Sequence, residues 1–242
     1  MPGGRDFRYA ASGKIGTMTE QQDSPAPVDG LAIAILGGTG DQGRGLARRF
    51  AIAGHSVTIG SRSAERAEAA AAELGAPGIR GMANAEAARA GDIVIAAVPW
   101  EGHGKLLATL APDLAGKIVV DCVNPLGFDS RGAYALPVPE GSAAEQAAAL
   151  LPDSRVVAAF HHVSAVLLLD PEVSSFDLDV LVLGDDREAT DLVQALAARI
   201  PGMRGVYAGR LRNARQVEAL TANLISVNRR YKSHAGLRIT DI

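Results

Sequence analysis

The sequence predicts an α/β fold, namely a Rossmann-type, doubly wound and mainly parallel sheet with a small helical C-terminal region. First, residues 31–36 form a continuous apolar run, which is typical of a strand buried on both faces of a parallel sheet. Second, further runs of this kind alternate with helical stretches along the chain. Third, a G-x-G-x-x-G pattern directly follows the first run.

The composition is that of a globular protein. The chain has 242 residues, 48% of them apolar, and a net charge of −3, so nothing indicates nucleic acid or an anionic membrane as a partner. Residues 201–242 contain eight Lys/Arg and two Asp/Glu, so this segment has a net charge of +6 and the rest of the chain has a net charge of −9. The single cysteine, Cys122, excludes an intrachain disulfide and favours the reducing cytoplasm. We interpret it as a small buried side chain.

Three segments are expected. Residues 1–30 are rich in Gly, Pro, Ser, Gln and charge and lack the apolar core of a secretory signal, so we expect a disordered leader, with Met18 as an alternative start. Residues 31–208 are expected to form the Rossmann domain, and residues 209–242 a C-terminal helical region. No linker is long enough to separate independent domains.

Apolar runs and helix-capping residues predict the strands and helices in chain order. Gly54 ends the first helix, Ser63 caps the second, and Ser142 with Glu145 forms a capping box. The pair Asp185–Asp186 is interpreted as a helix N-cap rather than a catalytic dyad. The predicted strands are 31–36, 55–60, 92–98, 117–122, 155–159, 178–183 and 205–208; the predicted helices are 42–53, 63–75, 142–152, 186–199 and a long amphipathic one from 211 to about 230.

The glycine pattern predicts a dinucleotide site. Gly38 permits the tight turn, Gly40 lets the backbone approach a pyrophosphate, and Gly43 lets helix and strand pack closely. The N-terminus of the following helix then offers free N–H groups to the phosphates. The alternative is a plain βα turn that uses glycine for its backbone freedom.

The end of the second strand indicates which dinucleotide binds. An NAD site places Asp or Glu there, whereas this sequence has Gly60-Ser61-Arg62 with Arg66 four residues further on. Two arginines on one face of a helix beside a serine suit a 2′-phosphate, so the prediction is NADP. Solvated surface charge is the alternative interpretation.

The chain resembles the NADPH-dependent reductases of coenzyme F420, a 5-deazaflavin, over nearly all of residues 31–239. The matching stretches are Leu36-Gly37-Gly38-Thr39-Gly40, Gly60-Ser61-Arg62, Val98-Pro99-Trp100, Ser142-Ala143-Ala144-Glu145, Val217-Glu218-Ala219-Leu220-Thr221 and Asn228-Arg229-Arg230-Tyr231-Lys232.

The resemblance implies hydride transfer between nicotinamide C4 and deazaflavin C5, with NADP(H) as cofactor and F420 as co-substrate. It implies that Thr39, Gly40, Asp41 and Gln42 hold the NADP phosphates and that Ser61, Arg62 and Arg66 hold the 2′-phosphate. At the nicotinamide end it implies Val98, Pro99, Trp100, His103, Asn124, Ala165 and Leu237. It also implies pairing through the C-terminal region, so we expect a homodimer.

The remaining polar residues leave alternatives open. His161 and His162 follow a predicted strand, where ligands bind in open α/β sheets. His161 is either a hydrogen-bond partner of the deazaflavin ring or of the nicotinamide amide, or a structural histidine. The five histidines lack metal-ligand spacing, so no metal is predicted. The competing functions are an NADPH reductase of a flavin, ferric chelate or imine, and a non-catalytic NADPH-sensing module.

Overall fold

The computed structural model describes residues 28–242, and it confirms the Rossmann-type architecture. The strands are β1 (Ile33–Leu36), β2 (Val57–Ser61), β3 (Ile79–Ala83), β4 (Ile93–Ala96), β5 (Ile118–Asp121), β6 (Leu126–Asp129), β7 (Gly132–Ala135), β8 (Arg155–Ala158), β9 (Leu178–Gly184) and β10 (Met203–Gly209). The helices are α1 (Asp41–Ile52), α2 (Ala64–Leu74), α3 (Asn84–Ala90), α4 (Trp100–Leu114), α5 (Ala143–Leu150), α6 (Ala165–Leu169), α7 (Arg187–Ala197) and α8 (Ala214–Tyr231).

Eight strands form one sheet in the order β10-β9-β8-β5-β4-β1-β2-β3. The six strands from β8 to β3 are parallel, whereas β9 runs antiparallel to β8 and β10 is parallel to β9. Strands β6 and β7 form a separate antiparallel hairpin. The sheet is therefore mainly parallel, as predicted.

The apolar run at residues 31–36 is explained by two cores, one on each face of the sheet. Ile33 and Ile35 belong to the core covered by α1, α2 and α7, while Ala34 and Leu36 belong to the core covered by α3, α4, α5 and α8. All four side chains are fully buried. A strand buried on both faces has no polar side, and this accounts for the absence of alternation.

The predicted capping residues lie at the helix ends. Ser63, Ser142 and Asp186 each accept a backbone N–H in the first turn of α2, α5 and α7, respectively. The elements without a prediction are β3, α3, α4, α6 and the β6–β7 hairpin. Strand β3 lies at the sheet edge with no fully buried side chain, so it carries no apolar run.

Helix α8 shares a core with the Rossmann segment. Leu211, just before it, and Ala214 and Val217, in its first turns, pack in the second core. Further along, Leu224 is half-buried and Val227 is 37% exposed. The apolar face of this predicted amphipathic helix is thus intramolecular core in its first half and reaches the surface in its second half.

The C-terminal tail is held on β9 by one buried carboxylate. Asp179 is fully buried and accepts hydrogen bonds from Arg204, Arg238 and the backbone N–H of Ile239. These bonds, led by that from Arg204, lower the pKa of Asp179 to about 2. The carboxylate therefore stays charged and fastens the tail to the sheet.

Most of the predicted leader, including Met18, lies outside the described residues. Val28, which falls within the predicted leader, is 5% exposed and packs into the first core. Within residues 28–242 no helix is both long enough and apolar enough to cross a membrane.

Candidate active site

A cleft of about 710 Å³ runs along the carboxyl edge of the sheet. Its walls come from the ends of β2, β1, β4, β5 and β8, which are neighbours in that order. The chain winds from β1 to β2 on one side and returns to β4 on the other, so the cleft lies at the topological switch point where open α/β sheets bind ligands. Because neighbouring strands lie about 4.8 Å apart, five strand ends span roughly 19 Å.

Many of the predicted site residues meet in this cleft. The predicted residues that line it are Thr39, Gly40, Asp41, Gln42, Ser61, Arg62, Arg66, Val98, Pro99, Asn124 and His161.

The three glycines of the loop have different surroundings. A Cβ atom on Gly38 would lie 2.8 Å from the Ile35 carbonyl oxygen, and one on Gly43 would lie 2.6 Å from the Gly38 Cα, so neither position accepts a side chain without a shift. At Gly40 the nearest atom would be 3.9 Å away. Gly38 and Gly43 thus allow close packing, while Gly40 leaves space toward the cleft, and these are the roles predicted for a pyrophosphate loop.

Helix α1 begins beside this space without a side-chain cap. Gly40 occupies the N-cap position, and among the described residues no side chain accepts the first N–H groups of the helix. Those groups carry the positive end of the helix dipole and suit a phosphate.

Ser61, Arg62 and Arg66 stand at the β2 end of the cleft. Ser61 is 6% exposed at the last position of β2, and both arginines are exposed. Among the ion pairs of residues 28–242, neither arginine has a carboxylate partner. Glu65, the nearest carboxylate in sequence, is hydrogen-bonded by the Ser63 hydroxyl. The two guanidinium groups are therefore free to bind an anion.

Unpartnered polar atoms mark the opposite end of the cleft. Asn124 donates its amide to the His161 carbonyl oxygen at 2.8 Å, but its own Oδ1 has no partner among the described residues. Both ring nitrogens of His161 are likewise buried, and neither makes a hydrogen bond of good geometry within residues 28–242. Since orphaned buried polar atoms are costly, these groups point to a ligand that bonds to them.

The backbone turn at Phe160 orients His161. Phe160 has φ +64°, a left-handed conformation that a bulky residue rarely adopts, and its ring is fully buried against Phe50. Strain of this kind clusters at functional sites. Burial lowers the pKa of His161 to about 4, so at neutral pH its imidazole is neutral and offers one donor and one acceptor.

The other predicted site residues lie around the cleft rather than in its lining. Trp100 is half-buried at the start of α4, and His103 is fully buried behind the wall. Ala165 begins α6. Leu237 lies on the C-terminal tail, where its carbonyl oxygen accepts the N–H of Asp179 at 2.7 Å. His162 has a structural role, because its Nε2 accepts the backbone N–H of Leu181.

Several lining residues were not predicted. Asn84 is 8% exposed and accepts the Gly37 N–H at 3.3 Å, so it supports the glycine loop. It follows β3, for which the sequence carries no strong signal. Cys122 is buried, as interpreted, and donates its thiol proton to the Ala96 carbonyl oxygen; burial raises its pKa. The unpredicted lining residues are Gly37, Asn84, Ala97, Gly102, Leu106, Cys122 and Val123.

Comparison with known proteins agrees with this geometry. The family model described as NADP oxidoreductase coenzyme F420-dependent matches residues 32–125. The F420-dependent NADP reductase of Methanothermobacter marburgensis is 41% identical over 223 residues, which cover 88% of this chain and 99% of that protein. The chain belongs to the F420-dependent NADP reductase family. The reductase of Methanocaldococcus jannaschii matches equally, at 41% identity over 88% of this chain.

One similar solved structure has the same description as these relatives. A structure from Arthrobacter sp. FB24, provisionally named an F420-dependent NADP reductase, superposes with a TM-score of 0.76 at 30% identity, covering 88% of this chain and all of that one. Pyrroline carboxylate reductase of Plasmodium falciparum shares the fold alone, with a TM-score of 0.56 at 13% identity. The rat metalloreductase STEAP3 is 33% identical over 82% of this chain, which spans 38% of that protein.

Proposed function

We propose that this protein is an oxidoreductase that transfers a hydride between NADP(H) and coenzyme F420. The observation that carries the proposal is the distribution of polar groups along one continuous cleft. Within residues 28–242, the arginines at its β2 end have no carboxylate partner and the neutral polar groups at its β8 end have no hydrogen-bond partner. Family membership supplies the identity of the second reactant.

The NADP end of the cleft is supported by charge and by space. Arg62 and Arg66 can both donate to a 2′-phosphate, with the Ser61 hydroxyl beside them. The open space at Gly40 and the uncapped start of α1 suit the pyrophosphate. In this proposal Asn84 keeps the loop in place by binding the Gly37 N–H.

The other end is suited to orienting flat rings. When bound, the nicotinamide exchanges a hydride through C4 with C5 of the deazaflavin, so the protein has to align two rings and exclude water. Val98 and Pro99 provide an apolar wall there, and Asn124 and His161 provide hydrogen bonds. With its pKa at about 4, His161 does not store a proton at neutral pH, which fits a positioning role.

A second acceptor class competes with F420. The similarity to a protein named metalloreductase favours a ferric chelate, and free flavin or an imine are further acceptors on the same scaffold. The alternative function without catalysis is that of an NADPH sensor, which binds the nucleotide but turns over no acceptor. Purified protein mixed with NADPH and oxidised F420 should bleach the visible absorbance of the deazaflavin. Turnover with ferric citrate or flavin mononucleotide alone would establish the alternative, and binding without any turnover would establish the sensor.

We further propose a homodimer in the cytoplasm. Four large apolar or aromatic side chains are exposed on the β6–β7 hairpin and on the second half of α8, namely Phe128, Tyr134, Val227 and Tyr231. Since β7 packs on α8, these residues belong to neighbouring elements. An exposed apolar surface of this kind marks an interaction site, and two-fold dimers are the commonest closed assembly. The single cysteine, which excludes an intrachain disulfide, supports the cytoplasmic location.

A further inference from the structure

A histidine and a carboxylate are buried together behind the ring-binding end of the cleft. His103, on α4, and Asp121, the last residue of β5, are both fully inaccessible to solvent. The Nε2 atom of His103 and the Oδ2 atom of Asp121 are in hydrogen-bond contact. Buried charged groups are rare unless they are paired, so this contact calls for an explanation.

The hydrogen bonds around the imidazole fix its protonation. The Nδ1 atom of His103 lies 3.0 Å from Oε1 of Gln146, while the amide nitrogen of Gln146 donates to the carboxylate of Glu140. The amide orientation therefore presents an acceptor to His103. Because both ring nitrogens face acceptor oxygens, only a ring with a proton on each nitrogen can donate to both, and the imidazolium is the form of His103 that pairs with the Asp121 carboxylate.

The electrostatic balance agrees with these contacts. Burial alone would lower the pKa of His103, but the charge and hydrogen bond of Asp121, with smaller contributions from Gln146 and Glu218, outweigh it and raise the pKa. Glu218 reaches toward the pair from α8, and its carboxylate accepts the N–H groups of Ala143 and Ala144 at the start of α5.

The pair also touches the two segments that form the end of the cleft. The second carboxylate oxygen of Asp121 accepts the N–H of Val123 at 3.0 Å, and Val123 lines the cleft between Cys122 and Asn124. On the other side, the ring of Trp100 lies over the imidazole with centroids 5.6 Å apart. A single ion pair thus connects the start of α4 with the segment that leaves β5.

We propose that the His103–Asp121 ion pair is a positioning device that sets the ring-binding wall of the cleft, acting through Val123 and Trp100 without touching either reactant. The proposal rests on the proposed function in so far as the rings bind at this end. It assigns His103 a place behind the wall, rather than the lining role that the family resemblance implied. The device holds while His103 is protonated, and it is lost as the pH rises through the raised pKa of the histidine.

The first test does not need F420, and it uses a variant only to assign the resonances. With ¹⁵N-labelled histidine in the intact protein at pH 7, the imidazole resonances of His103, assigned by their loss in His103→Gln, should show both nitrogens protonated. A singly protonated, neutral ring would overturn the proposal.

The second test measures the position of the nicotinamide directly. Asp121→Asn keeps an acceptor for Val123 but removes the charge, and His103→Gln removes the imidazolium. In both variants the fluorescence anisotropy of the nicotinamide ring of bound NADPH should fall, while the Kd for NADPH, set by the phosphates, stays unchanged. Hydride transfer to F420 in a single turnover should slow by roughly tenfold to hundredfold, the size expected for reactants misplaced by about 1 Å.

The matched control is His55→Gln. His55 is also a buried histidine, 4% exposed, but it bonds to the Leu31 carbonyl oxygen at the amino edge of the sheet. This control should keep the anisotropy and the rate of the parent. Unchanged anisotropy in Asp121→Asn and His103→Gln, or an equal fall in His55→Gln, would refute the positioning role. Absence of F420 turnover in the parent, with the ¹⁵N and anisotropy results as expected, would refute the proposed acceptor and leave the positioning role standing.

Discussion

Removing Arg62 and Arg66 tests the 2′-phosphate site. A charge-assisted hydrogen bond contributes about 1.5–3 kcal/mol, and because both guanidinium groups are exposed and screened by solvent, the lower value applies. A loss of about 1.5 kcal/mol raises Kd roughly tenfold, so Arg62→Ala and Arg66→Ala should each weaken NADPH about tenfold and the double variant about a hundredfold. Binding of NADH, which lacks the phosphate, should hardly change.

The assay is a fluorescence titration with both nucleotides at fixed ionic strength. Arg155→Ala is the matched control, since it removes one half-buried arginine at the amino end of β8, away from the cleft, where the pair with Glu188 is a contact of little energy. It should leave both affinities as they are. Equal losses for NADPH and NADH in the double variant would refute the assignment of these arginines to the 2′-phosphate.

Three further predictions concern the loop, the tail and the assembly. Gly40→Val should abolish NADPH binding without lowering Tm, because the new side chain meets only open space in the protein and would occupy the pyrophosphate position; a parental titration would contradict this. Asp179→Asn should destabilise the protein by about 1.5–3 kcal/mol at pH 7 in urea unfolding. Asp179 has a pKa of about 2 in the folded protein and an ordinary pKa of 3.8, so its contribution to the free energy of unfolding is complete above about pH 4 and is lost as the pH falls toward 2. If Asp179→Asn destabilised the protein as much at pH 2 as at pH 7, this prediction would be wrong. Phe128→Asp should convert a dimer into a monomer in light scattering, and a monomeric parent with full activity would end the dimer proposal.

The nucleotide end of the cleft could be predicted because its signals are local. The glycine spacing, the strand before it and the Ser61-Arg62 pair all lie within short stretches of sequence, and backbone geometry ties them to the phosphates. The family resemblance is confirmed by relatives over 88% of the chain. The individual site assignments stay predictions.

The ring-binding end could not be predicted in the same way, because it is assembled from distant segments. His103 and Asp121 are 18 residues apart, and Asn124 and His161 are 37 apart, so their contacts depend on the strand order. Sequence spacing alone does not show whether a histidine on α4 points into the cleft or behind it. Asn84 was missed because β3 is an edge strand with mixed polarity.

Direct hydride transfer between the two reactants is tested most directly by an isotope experiment. NADPH that carries deuterium at both C4 positions is mixed with oxidised F420 and the protein in ordinary water. The mass of the reduced deazaflavin is then measured by mass spectrometry. Direct transfer predicts one deuterium at C5 of the product and a slower rate than with unlabelled NADPH. A reduced deazaflavin without deuterium would contradict the account, since the hydrogen at C5 would then have come from the solvent.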